Sequence, residues 1–109
     1  MSWLIRDGDV LCTLEVASSM GDRMRGLLGR DGIDGALLIE RARSVHTLGM
    51  RFPIDVAFCD RDLTVIATVC MPRFRLGRPR LRARSVLEAE AGAFERWRLQ
   101  VGDRLDVKG

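Results

Sequence analysis

PIDVAFCDRDLTVIATVCM, Pro53 to Met71, decides the fold class of this 109-residue chain. PIDVAF (53–58) and LTVIATVCM (63–71) are rich in β-branched and aromatic residues and read as strands. The acidic CDRDL between them reads as a hairpin turn. Such a turn favours glycine at its left-handed position; Leu63 stands there, which leaves the turn type open. Upstream, ALLIE (36–40) and RSVHTL (43–48) continue the strand pattern. Downstream follow SVLEAEAG (85–92) and VGDRLDV (101–107). At the start, WLIR (3–6) pairs back through the RDGD turn onto VLCTLEVA (10–17).

Helical spacing is clear once, in SSMGDRMRGLLGRDG (18–32). Ser18 or Ser19 can cap its first turn, and Asp22 suits the positive end of the dipole. Met20, Met24, Leu27 and Leu28 form one apolar stripe, with Gly29 as terminator. Gly26 within the stripe points to a close backbone approach. AFERWRL adds one or two helical turns over about 93–98. The expectation is a mainly β single domain spanning residues 1–109. It is a compact β-sandwich or partly open barrel of about seven short strands, with a helix over about 19–28 covering one end or edge.

Composition matches an ordinary globular protein, with 47% apolar and 30% charged residues. No apolar run approaches the roughly 18 residues that span a bilayer, and the MSWLIRDGDV start lacks a secretory pattern, so the expected location is the cytoplasm. Cys12, Cys59 and Cys70 are unpaired by spacing and lie in apolar contexts. They read as small buried hydrophobes, without disulfide or zinc site, and no metal or cofactor is expected.

The net charge of +3 is unevenly placed. RFRLGRPRLRAR (73–84) holds six arginines and no acid, while the segments on either side are slightly acidic. Extended, it would show Arg73 and Arg75, then Arg78, Arg80, Arg82 and Arg84, on one side in each half. Such a comb tracks phosphates. The bland alternative is a solvated loop, since 17 of the 18 basic residues are arginine throughout the chain.

DRMRGLLGRDG, RFPIDVAFCDRD, SVLEAEAG and VGDRL, in this order and spacing, resemble the family known as domain of unknown function 192, from about Thr13 to Val107. The resemblance implies a small bacterial or archaeal β-sandwich whose activity is not established, and so implies no catalytic residue. It marks Arg23, Gly26, Leu27, Arg30, Pro53, Asp55, Phe58, Glu88, Gly92, Gly102 and Asp103 as motif positions. VHTLGMRF departs from the aromatic-Trp-Met-x-Asn-Thr stretch that many members carry before the proline.

Three arrangements compete for the chemistry. His46, the one histidine, and Asp55 form an acid–base pair if strands 43–48 and 53–58 are neighbours, which would suit a hydrolase, although no nucleophile accompanies them. Arg23 and Arg30 are fitting ion-pair partners for Asp55 and Glu88, which would pin the helix to the sheet. A binding surface for an anionic ligand, nucleic acid or acidic protein would draw on Arg41, Arg43, His46, Arg51, Arg73, Arg75, Arg78 and Arg80. The leading expectation is a non-catalytic binding or accessory module; a hydrolase and a subunit of a larger assembly are the alternatives.

Overall fold

The computed structural model describes residues 2–109. Seven strands form one sheet in the order β5-β4-β6-β3-β2-β1-β7. In chain order they are β1 (Ser2–Arg6), β2 (Asp9–Ala17), β3 (Ala36–Glu40), β4 (Ile54–Cys59), β5 (Val65–Met71), β6 (Ser85–Glu90) and β7 (Leu105–Lys108). All neighbours are antiparallel except β2 and β3. The sheet curls into a half-barrel, so the partly open barrel is the expectation that holds. At one end its edges meet: Val65 N–H donates to Asp103 O, Gly102 N–H to Val65 O, and Leu105 N–H to Leu63 O, at 2.8–2.9 Å.

The expected hairpin forms in register, with Ile54 opposite Met71 and Asp55 opposite Cys70. Its turn is held by Asp60, whose Oδ1 accepts from the N–H groups of Asp62 and Thr64. Leu63 does take the left-handed conformation, φ 60°. The Asp60 bonds hold a geometry that glycine would adopt without strain.

Side chains from all seven strands, including Leu4, Leu14, Leu38, Ala57, Val65, Leu87 and Leu105, meet in one cluster that fills the concave interior. The short helix α2 (Ala93–Trp97) packs into it through Ala93 and Phe94. A second cluster covers the other face of β3, β4 and β6: Leu37, Ile39, Ile54, Val56, Phe58 and Val86 pack beneath Leu27, Val45, Met50 and Phe52. Strand β4 is therefore buried at every position.

Helix α1 (Met20–Arg25) begins as expected, with Ser19 Oγ accepting from Asp22 N–H at 3.1 Å. It stops earlier than its apolar spacing implies. Gly26, at φ 50°, is the C-cap, in place of Gly29. A Cβ there would meet only ordinary contacts, so glycine serves the backbone conformation and not a close approach. The early stop breaks the stripe: Leu27 is buried in the following turn, whereas Met20 and Met24 are 72% and 74% exposed. RSVHTL forms no regular strand; only an isolated bridge, His46 to Leu76, is present. Of the cysteines Cys59 is buried and Cys12 partly so, but Cys70 is exposed, because β5 is the outer strand of the sheet.

Asp55 anchors α2 to the sheet. Its Oδ2 accepts from Gly92 N–H at 2.9 Å and Phe94 N–H at 3.1 Å, at a helix start that has no side-chain cap of its own. Replacing Asp55 by alanine leaves two N–H groups without an acceptor in a largely dry place. Urea unfolding of Asp55→Ala is expected to show a loss of about 3 kcal/mol. Asp55→Asn keeps one oxygen for both bonds and is expected to lose about 1 kcal/mol.

Candidate functional site

Residues 42–47 and 75–84 lie antiparallel to each other outside the sheet. Thr47 N–H donates to Arg75 O, Gly77 N–H to Val45 O, and Arg80 N–H to Arg43 O, each at 2.8 Å; Ala42 N–H reaches Arg84 O at 3.2 Å. Fully buried Thr47 pins the ribbon, its Oγ1 donating to Pro72 O at 2.6 Å and accepting from Arg75 N–H at 2.8 Å. Gly77 permits the pairing, since a Cβ there would lie 2.5 Å from Val45 O. The pairing brings together Arg43, His46, Arg75, Arg78 and Arg80 of the expected ligand residues; Arg41, Arg51 and Arg73 lie outside the two segments.

The ribbon carries many arginines and no acid. Among the described residues there are three salt bridges: Arg6–Asp103, Arg30–Glu15 and Arg51–Asp31. Of the expected ligand-binding arginines Arg51 is therefore paired, with Asp31 at 3.0 Å. Arg41 donates to Ser18 O and Arg75 to Phe74 O. Arg80 is half-buried, its guanidinium 5.2 Å from the centre of the Phe58 ring. Arg43, Arg73, Arg78 and Arg82 are exposed and make no side-chain hydrogen bond among the described residues. Arg73 lies over the exposed Phe74 ring at 4.9 Å. The comb is not straight, because Phe74 takes φ 62° and a turn closes from Ala83 N–H to Arg80 O.

The expected pairs sort differently. His46 is exposed and lies on the side of Val45 and Met50, whereas Asp55 points to the opposite face and α2. Strand β4 pairs with β5 and β6, so residues 43–48 are not its neighbours and the His46–Asp55 dyad is not assembled. Arg23 donates to the backbone oxygens of Glu40 and Arg41, both at 2.7 Å, just past the end of β3. Arg30 forks onto Glu15 at 2.7 and 3.0 Å, holding that carboxyl below its ordinary range. Arg23 thus ties the helix to the end of β3 through carbonyls, and Arg30 ties the segment after the helix to β2 through Glu15; neither reaches Asp55 or Glu88. Burial raises the thiol of Cys12 to about 11 and that of Cys59 to about 12; Cys70 is also raised, by desolvation first and then by Asp55. None of them is an activated nucleophile.

Glu88 is left without a partner. It sits on the outer face of β6, between Leu37 and Val56 on the neighbouring strands, and is 4% exposed. Its carboxyl forms the floor of a cavity of about 80 Å³ walled by Leu27, Ile39, Val45 and Met50 and reached past Arg23, Arg25 and His46. No side-chain hydrogen bond reaches it among the described residues, and burial pushes its pKa from 4.5 up to about 7. The sequence signal was a glutamate amid apolar neighbours in VLEAE, read for an ion pair. The unfolded chain releases this proton near the ordinary value and the folded chain only near neutrality. Stability from this group is therefore greatest at acid pH and falls as pH rises from about 4.5 to 7. Glu88→Gln is expected to remove that slope and to be more stable than the parent at pH above 7, by an amount of order 3 kcal/mol. Denaturant melts at acid and at mildly alkaline pH measure the difference.

The comparison with curated proteins returns no match. Two crystal structures share the fold. One, a protein of unknown function from Novosphingobium aromaticivorans, is 19% identical with a TM-score of 0.81, over 96% of this chain and 82% of the other. The second, from Sinorhizobium meliloti and described as a "putative transcription regulator", is 26% identical with a TM-score of 0.80, over 97% and 91%. No helix among the described residues is long and apolar enough to cross a membrane. The family model for DUF192, described as an uncharacterized ACR, matches residues 3–107, so the hairpin, the arginine-bearing helix and the VGDRL turn belong together for a reason: the chain is a member of that family.

Proposed function

We propose that the protein is a binding module that holds nucleic acid on the 42–47/75–84 ribbon and the adjoining Arg73 and Phe74. The observation that carries this reading is the set of exposed guanidinium groups without carboxylate partners, Arg43, Arg73, Arg78 and Arg82, on a backbone fixed by Thr47 and Gly77. Unpaired arginines of one sign attract a polyanion and release its counterions. Phe74, 54% exposed beneath Arg73, adds a ring on which an unpaired base can stack. The description of the Sinorhizobium meliloti structure points the same way. Single-stranded nucleic acid is favoured, because the ribbon offers a stacking ring and no helix long enough to enter a major groove.

Fluorescence titration of a labelled single-stranded oligonucleotide over a range of salt tests the reading. Affinity is expected to fall steeply with salt. Arg78→Ala and Arg82→Ala should each lower the slope of log K against log salt by about 0.7, the single-strand value per phosphate contact. Phe74→Ala should weaken binding by about 1–3 kcal/mol while leaving the slope unchanged. Absence of binding at low salt, or binding that ignores both arginine changes, would refute it.

A further inference from the structure

A second feature of the molecule, which shares Arg43 with the ribbon, is the buried carboxyl of Glu88. Glu88 is more than nine-tenths buried, makes no side-chain hydrogen bond among the described residues, and lines a small cavity that opens to the surface. A buried carboxyl without a counter-group is costly, and a fold that keeps one aimed into a cavity leaves room for a donor to complete it. The cavity of about 80 Å³ is far below the roughly 300 Å³ at which drug-sized pockets begin. It matches two or three water volumes of about 30 Å³, or a head group of about that many heavy atoms.

The surroundings narrow the chemistry further. The titratable groups at this cavity besides Glu88 are Arg23, Arg25 and His46. Arg23 already holds two backbone oxygens, but Arg25 makes no side-chain hydrogen bond among the described residues. The same opening widens into a groove of about 440 Å³, sharing Arg23, Met24, Ile39, Ala42 and Ser44, along which Arg43 is free. A bare cation small enough for the floor would be repelled by this rim, and a bare anion by the floor. A molecule carrying both charges, donor first, meets both. The exposed Met20 and Met24 offer an adaptable apolar side to its stem.

We propose that the cavity and its groove form a site for a small aminocarboxylate, with the ammonium group on the Glu88 carboxylate and the ligand's carboxylate on Arg25 and Arg43. No bond is made or broken in the site as described; it is a binding site.

The test uses the whole chain with glycine, β-alanine and 4-aminobutyrate as probes, and methylammonium and acetate as half-probes, followed by carbon-detected NMR of the Glu88 carboxyl. At least one aminocarboxylate is expected to bind saturably at millimolar concentration. It should move the Glu88 titration to lower pH, because the ionised form is the one bound. Glu88→Gln is expected to weaken that probe roughly tenfold, and Arg43→Ala severalfold, without changing the thermal unfolding of Arg43→Ala. Glu88→Gln should leave the salt slope of oligonucleotide binding unchanged, which tells a failure here from a failure of the ribbon reading even though Arg43 serves both. The proposal is overturned if no probe saturates, or if Glu88→Gln binds them as the parent does. It is equally overturned if methylammonium alone or acetate alone binds as well as the best aminocarboxylate.

Discussion

Strand β4 is covered on both faces, and that single constraint shapes the rest of the molecule. A strand at the edge of a half-barrel, or one with a wet face, can place a polar side chain in water; β4 and most of its neighbour β6 cannot. Two buried carboxylates nevertheless lie on this pair of strands. Asp55, on the concave side, is satisfied by the backbone at the start of α2, and so the strand positions the helix. Glu88, on the convex side, makes no side-chain hydrogen bond among the described residues and lines a small cavity. One acid serves the fold; the other stands available to something outside it.

The same constraint explains how much of the architecture could be read from the residues. All seven strands were legible because apolar and β-branched runs of the right length alternate with acid- and glycine-containing turns, and the Pro53–Met71 hairpin is nearly continuous hydrophobic sequence because both of its β4 faces are buried. The helix was legible at its start, where Ser19 makes the cap. Its end was not, because the apolar stripe through Leu27 and Leu28 continues beyond the turn at Gly26, and periodicity alone does not tell a buried turn from a buried helix face. RSVHTL looked like a strand for a related reason. Val45 is indeed packed in the outer cluster, but Leu48 is exposed and the segment's backbone pairs only irregularly with the 75–84 loop.

The candidate site was legible in part. The concentration of six arginines in 73–84 stands in the sequence, whereas the backbone hydrogen bonds that join 75–84 to 42–47 do not. What local sequence did not carry is which charge meets which. Arg30 and Glu15 are distant in the chain and adjacent across the surface, while Asp55 finds its partners in N–H groups, which every residue type but proline offers. An acid among apolar neighbours announces a need for a partner without naming it. Asp55 and Glu88 look alike in sequence and have opposite outcomes.

The sheet's two edges are joined through residues 63–65 and 102–105, and β1 also pairs with β7. Chain order thus sets a schedule. The hairpin of β1 and β2 and the hairpin of β4 and β5 are local and can form as soon as they are made, but each has an edge that is finished only by residues after Gly102. The barrel interior, to which Leu105 contributes, stays open to water until then. During synthesis most of this protein exists as a set of hairpins waiting on a final loop closure over nearly the full chain, the slowest kind to make. Its exposure to misassembly is concentrated in that interval, and not in the finished fold.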